Sequence, residues 1–137
     1  MKLLIDENIN VAVLDPLRAT FGEEVFATVR EQNWVGLHDD ELFLAMKDHR
    51  FDVLITRDRN QLADRDERAA LRAHGLHWVG VPSPQFGGVK GMALETACLV
   101  AGLPYVLEDL AQCLAPTAFH MRGVTSEHNQ RVKVETL

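Results

Sequence analysis

Cysteine is nearly absent. The 137-residue chain has two, Cys98 and Cys113, and no Cys-x-x-Cys pair. Two thiols cannot supply a disulfide framework or a cysteine-rich zinc site, and both read as core residues in helices. Long apolar runs are also scarce. No stretch reads as the ~20 apolar residues that cross a bilayer; the longest candidate, Met92–Leu103, carries Glu95 and stops at Pro104. The N-terminus, Met-Lys-Leu-Leu-Ile-Asp-Glu, turns acidic too early for a secretory signal, so the cytoplasm is the expected location and no membrane partner is expected. Gly87-Gly88 lacks a Lys-Ser or Lys-Thr in register, which excludes a phosphate-cradling P-loop. The six histidines show no metal spacing: His74 and His77 straddle Gly75, so their rings diverge. Basic residues are outnumbered, 14 against 20 acids, for a net charge of −6. Bulk attraction to a polyanion is therefore excluded, and any nucleic-acid contact has to be local.

What is present is an alternating pattern. Leu3-Leu4-Ile5, Glu24–Val29, Phe51–Thr56 and Leu76–Val81 read as four short buried strands. Between them lie helical segments at Asn10–Phe21, from Asp39 onward, and at Gln61–His74, the last closed by Gly75. Pro16 either kinks the first segment or opens a second short helix capped by Asp15. Alternation of this kind predicts an α/β domain with a mostly parallel sheet between helical layers. The last third reads differently. Lys90–Gly102 and Pro104–Leu114 suggest two helices split at Gly102-Leu103-Pro104, and Thr117–Val124 with Arg131–Thr136 suggest a hairpin. One domain is expected, with 1–88 as its α/β core and 89–137 as an extension.

The acids fall where strands end. Asp6 follows the first strand and Asp58 the third, while Asp39-Asp40-Glu41 opens the second long helix. Parallel strands share one carboxyl edge, and ligands bind there, at the point where strand order reverses. Asp6, Asp39 and Asp58 would then face one crevice. Grouped carboxylates repel unless a cation shares the site, and Mg²⁺ or Mn²⁺ suits an all-oxygen set. Metal-assisted hydrolysis of a phosphodiester is a reaction such a set supports. Each acid also has a plainer role: a turn residue at Asp6, a helix cap at Asp39, an ion pair with Arg57 or Arg59 at Asp58. Arg65, Arg68 and Arg72 share one helix face, and either track phosphates or pair with the interleaved Asp64, Asp66 and Glu67. Trp78 reads as core. Trp34, in a loop beside the acidic helix, is a candidate for stacking on a base.

Three blocks carry a family resemblance. Met-Lys-Leu-Leu-Ile-Asp-Glu-Asn-Ile at 1–9, then Val29-Arg30-Glu31 with Gly36 and Asp39-Asp40-Glu41-Leu42, then Val53-Leu54-Ile55-Thr56-Arg57-Asp58-Arg59-Asn60 resemble, in order, the motifs of PIN-like toxin ribonucleases. The resemblance covers 1–81 and implies a single PIN-like domain that cuts RNA. It implies Asp6, Asp39 and Asp58 as metal residues holding Mg²⁺ or Mn²⁺, with Asn60 placing water. Glu7, Asn8, Asp40, Glu41, Thr56 and Arg57 would be supporting residues, and Arg57, Arg59 and Trp34 would contact the nucleic acid. A cognate antitoxin protein is the implied partner, with a homodimer as a further assembly. The family's second acid in the third block reads Asn60 here, which removes a charge. A catalytically weak or inactive PIN-like binding module is the alternative. A receiver-like phosphoacceptor domain using Asp58 is a third reading, and its lysine would have to be Lys90.

Overall fold

The computed structural model describes residues 1–136. Five parallel strands form one sheet in the order β2-β1-β3-β4-β5: β1 Lys2–Ile5, β2 Val25–Thr28, β3 Val53–Thr56, β4 His77–Gly80 and β5 Ala118–His120. The side-chain period of two explains why it is covered on both sides. Leu3, Ile5, Val53, Ile55 and Val79 point to one face and meet α1 (Leu14–Thr20) and α5 (Gly88–Leu110). Leu4, Leu54 and Trp78 point to the other and meet α2 (Asp39–Asp48) and α4 (Arg65–His74). The result is the three-layer α/β/α arrangement with a parallel sheet that the alternating pattern predicts.

Several boundaries differ from the sequence reading, each for a local reason. A 3-10 turn at Val11–Val13 precedes α1. Pro16 stands in the first turn of α1, where its missing N–H has no intrahelical acceptor to lose. The segment predicted as Gln61–His74 is two helices, α3 (Asn60–Ala63) and α4. They break at Asp64, whose carboxylate accepts from the N–H groups of Asp66 and Glu67 and so starts a new helix. Gly75 closes α4 with φ +74°, a left-handed cap that glycine adopts without strain.

The last third departs most. The two helices predicted on either side of Gly102-Leu103-Pro104 are one helix, α5, with Pro104 inside it. Pro104 is exposed, while Cys98, Leu99, Leu103, Val106 and Leu110 are buried against the sheet. Packing of that face holds the helix together across the lost hydrogen bond. By length and composition alone α5 could cross a membrane. Its inner face serves as a core helix. The predicted C-terminal hairpin does not form. Ala118–His120 instead joins the sheet beside β4 and parallel to it, and 132–136 contains no strand. That tail is exposed, Val132 and Val134 included, so its alternating valines pack on nothing that would hold a strand there. A one-turn helix, α6 (His128–Arg131), precedes it.

Candidate functional site

The site is built where β1 and β3 lie side by side. Asp6 is the first residue beyond β1, and its N–H donates to Ile55 O at 2.9 Å, so the adjoining strand fixes its position. Its carboxylate is buried and fully engaged. Oδ1 accepts from Glu7 N at 2.8 Å, and Oδ2 accepts from Thr56 Oγ1 at 2.6 Å and Asn8 Nδ2 at 2.8 Å. Thr56, fully buried at the end of β3, also accepts from Asn8 Nδ2 and from Asp58 N, at 2.9 and 3.0 Å. Asn8 Oδ1 in turn accepts from Arg57 N at 3.0 Å. Asp6, Asn8 and Thr56 thus lock the two strand ends together. Burial raises the Asp6 pKa above the usual carboxylate range, against the hydrogen bonds from Thr56 and Glu7, with smaller upward pushes from the charges of Glu7 and Asp39.

Asp39 and Asp58 do share a cleft with Asp6. Its volume is about 260 Å³, and Glu7, Trp34 and Gln61 also line it. The position of Asp39 depends on a residue the sequence reading passed over. Gln61 Nε2 donates to Asp39 Oδ1 at 2.7 Å, and Trp78 Nε1 donates to Gln61 Oε1 at 3.1 Å. This chain runs from the sheet to the cleft through a buried amide. Trp78 can lie there because residue 80 is glycine: a Cβ on Gly80 would stand 2.2 Å from the indole ring. Asp58 Oδ1 accepts from Asn60 N at 2.8 Å, closing its own turn. Asn60 is the first residue of α3, so its family-implied role in placing water gains no support from a contact. Asp40 is exposed at the start of α2, and Glu41 Oε2 accepts from His38 N at 3.2 Å, capping that helix.

Glu67 was also missed. It sits on the α2-facing side of α4, and its pKa is raised by partial burial first and then by the nearby charges of Asp39, Asp64 and Asp58. In sequence it reads as one acid in a mixed-charge helix. Only the packing of α4 on α2 brings it to Asp39.

The expectation of a metal centre is overturned. Among the described residues, no group of three or more His, Cys, Asp or Glu side chains is arranged to hold a metal ion. Asp6, Asp39 and Asp58 line one cleft, yet each is turned to a protein donor of its own. The Mg²⁺ or Mn²⁺ cofactor does not fit this arrangement, and the divalent-metal-dependent endoribonuclease built on it falls with it.

The candidate nucleic-acid contacts divide. Arg57 is turned to the α5 side, its Nε 2.8 Å from Oε1 of the buried Glu95, in an ion contact whose N–H is not aligned for a hydrogen bond. Trp34 is half-buried, edge-on to His49 and Phe51 at centroid distances of 5.0 and 5.7 Å. Arg59, Arg65, Arg68 and Arg72 are exposed and, among the described residues, have no acid within 4.0 Å. The ion pairs expected on α4 are absent because Asp64 caps the helix and Glu67 turns to Asp39.

No curated protein and no solved structure matches the chain. The family of the PIN like domain matches residues 1–83, the span that contains β1 to β4, the cleft and every residue that lines it. On that match the chain belongs to the PIN-like domain family.

Proposed function

We propose that the chain is a PIN-like binding module whose cleft holds a partner without metal-dependent cutting. One observation carries this: each carboxylate expected to share an ion is held by a donor from the protein itself, Asp6 by Thr56 and Asn8, Asp39 by Gln61, Asp58 by Asn60 N. What remains is a concave, acidic surface. Asp6, Glu7, Asp39 and Asp58 line it, and His38 is the sole residue there that could carry positive charge. Such a surface suits the lysine or arginine of a protein partner and repels a phosphate. An antitoxin-like protein presenting a basic segment is the partner this chemistry favours.

Calorimetric titration with Mn²⁺ and then with a short oligoarginine peptide tests the reading. The expected result is no Mn²⁺ binding in the low-millimolar range, and peptide binding that weakens in Asp39→Asn and Asp58→Asn. Mn²⁺ binding together with RNA cleavage that Asp6→Asn abolishes would overturn it.

A second reading has its own observation. The unpaired Arg59, Arg65, Arg68 and Arg72 offer a local path for an RNA backbone despite the acidic net charge. RNA affinity that falls in Arg68→Ala and Arg72→Ala but not in Asp58→Asn would favour it.

A further inference from the structure

A second cavity lies on the other side of the sheet's carboxyl edge, between α5 and the segments that follow β4 and β5. Its volume is about 400 Å³, within the size range of small-molecule sites. Pro82, Pro84, Leu94 and Val124 give it apolar walls. Among the described residues that line it none is Lys, Arg or His, whereas Glu95 and Glu127 are acids. Glu95 is the unusual member. It is 3 % exposed, and it lines both this cavity and an adjoining one that reaches Arg57 and Asn10. It is also short of hydrogen bonds. One carboxylate oxygen accepts from Asn10 N at 3.3 Å. The other accepts none among the described residues, because the Arg57 N–H beside it is misaligned. Donors that line the cavity are turned elsewhere: Cys98 Sγ donates to Arg122 O and Ser126 Oγ to Gln85 Oε1, both at 3.3 Å. A buried carboxylate left this way lacks a donor that a ligand can supply.

We propose that this cavity binds a small organic cation, a primary ammonium on an apolar body, whose N–H groups donate to Glu95. Each part of that description answers a feature of the site. The positive charge matches two acids with no base among the cavity's lining residues. An ammonium is compact and turns its three donors freely, so it aligns where the planar Arg57 fork does not. The terminal torsion of a glutamate is broad, so the carboxylate swings toward an arriving donor at little cost. The apolar body fills the space between the prolines, Leu94 and Val124. The same two acids disfavour an organic anion. Cys98 takes no covalent part. Burial first, and then the charge of Glu95, push its pKa above the ordinary thiol value, so it is no nucleophile at neutral pH. Glu95, Cys98 and Glu127 lie beyond the residues that match the family, so the site does not depend on what the acidic cleft holds.

NMR of the full chain titrated with phenethylamine tests the proposal. Binding should be saturable with a Kd of about 1 mM, the level a fragment reaches, and should shift the amides of Ser83, Gln85, Cys98 and Thr125. Glu95→Gln keeps the shape and removes the charge, and should weaken binding about tenfold. Ser83 is exposed where it lines the cavity, so Ser83→Trp should fill the space without touching the core and abolish binding. That variant keeps the test decisive if Glu95→Gln disturbs folding. Neutral phenylethanol and anionic phenylacetate should each bind at least about tenfold more weakly than the amine. Absence of saturable binding overturns the proposal, as do shifts confined to Glu7, Asp39 and Asp58 in the acidic cleft, or an affinity indifferent to both variants. Equal binding of the alcohol or the acid overturns it too. A lysine side chain on a partner shares the ammonium chemistry. Tighter binding of a capped Gly-Lys-Gly peptide than of the free amine would assign the cavity to such a partner and overturn the small-ligand reading.

Discussion

The two sides of the sheet's carboxyl edge handle a buried carboxylate in different ways. On the cleft side Asp6 has three hydrogen-bond donors, two of them side chains from neighbouring strand ends. On the α5 side Glu95 has one misaligned guanidinium and one backbone N–H, from Asn10, at 3.3 Å. Burial raises the pKa of both, with Arg57 and the Asn10 N–H opposing the rise at Glu95. The contrast teaches what each region rests on. The first 83 residues are held at the sheet's carboxyl edge by a polar network that draws on their own acids. The later residues are held by apolar packing along one long helix, with a thinly solvated charge beneath it.

Removing apolar contact on the α5 side should have the largest effect. Leu103 is fully buried, and Leu103→Ala should cost about 2–5 kcal/mol in urea unfolding. A loss near zero would mean that α5 is dispensable to the core. Next comes the ion contact. Arg57→Ala leaves the Glu95 carboxylate buried without its cation and should cost about 2 kcal/mol, less than a fully buried pair because the Arg57 side chain is 27 % exposed. Arg57→Ala combined with Glu95→Leu should recover most of that loss.

On the cleft side, Thr56→Val deletes the hydroxyl that bonds Asp6, Asn8 and the Asp58 N–H. It should cost about 1–2 kcal/mol and push the Asp6 pKa further up, which NMR titration of the carboxyl would show. The smallest effect is on pH dependence. Because the Asp6 pKa is raised on folding, the native state holds that proton more tightly than the unfolded chain. Its contribution to stability is therefore greatest below the unfolded value of about 3.9, and declines as pH rises through the higher folded value. Asp6→Asn should flatten that part of the curve. An unchanged slope would assign it to Glu67 or Glu95, whose pKa values are also raised.

The legibility of the molecule follows the same divide. Strands β1, β3 and β4 and the gathering of Asp6, Asp39 and Asp58 in one cleft are readable because apolar runs ending in acids have few other placements in a parallel sheet. The roles of those acids were not readable. Gln61 looks unremarkable in sequence and Thr56 reads only as a supporting residue, yet they take up the carboxylates of Asp39 and Asp6. Pro104 read as a helix end because local rules penalise it, and the burial of Leu99, Leu103 and Val106 on the far face outweighs that penalty.

What the residues by themselves determined is the alternation, the layer assignment of each strand residue, and the edge of the sheet where acids collect. All of these follow from side-chain period and from chain direction. What only the tertiary structure decided is which donor each carboxylate meets, that the segment after α5 pairs in parallel with β4, and that α5 runs unbroken through its proline. Those outcomes depend on contacts between residues as far apart as Asp6 and Thr56, or Trp78 and Ala118. No local pattern encodes such contacts, because their energy exists only once the layers have packed.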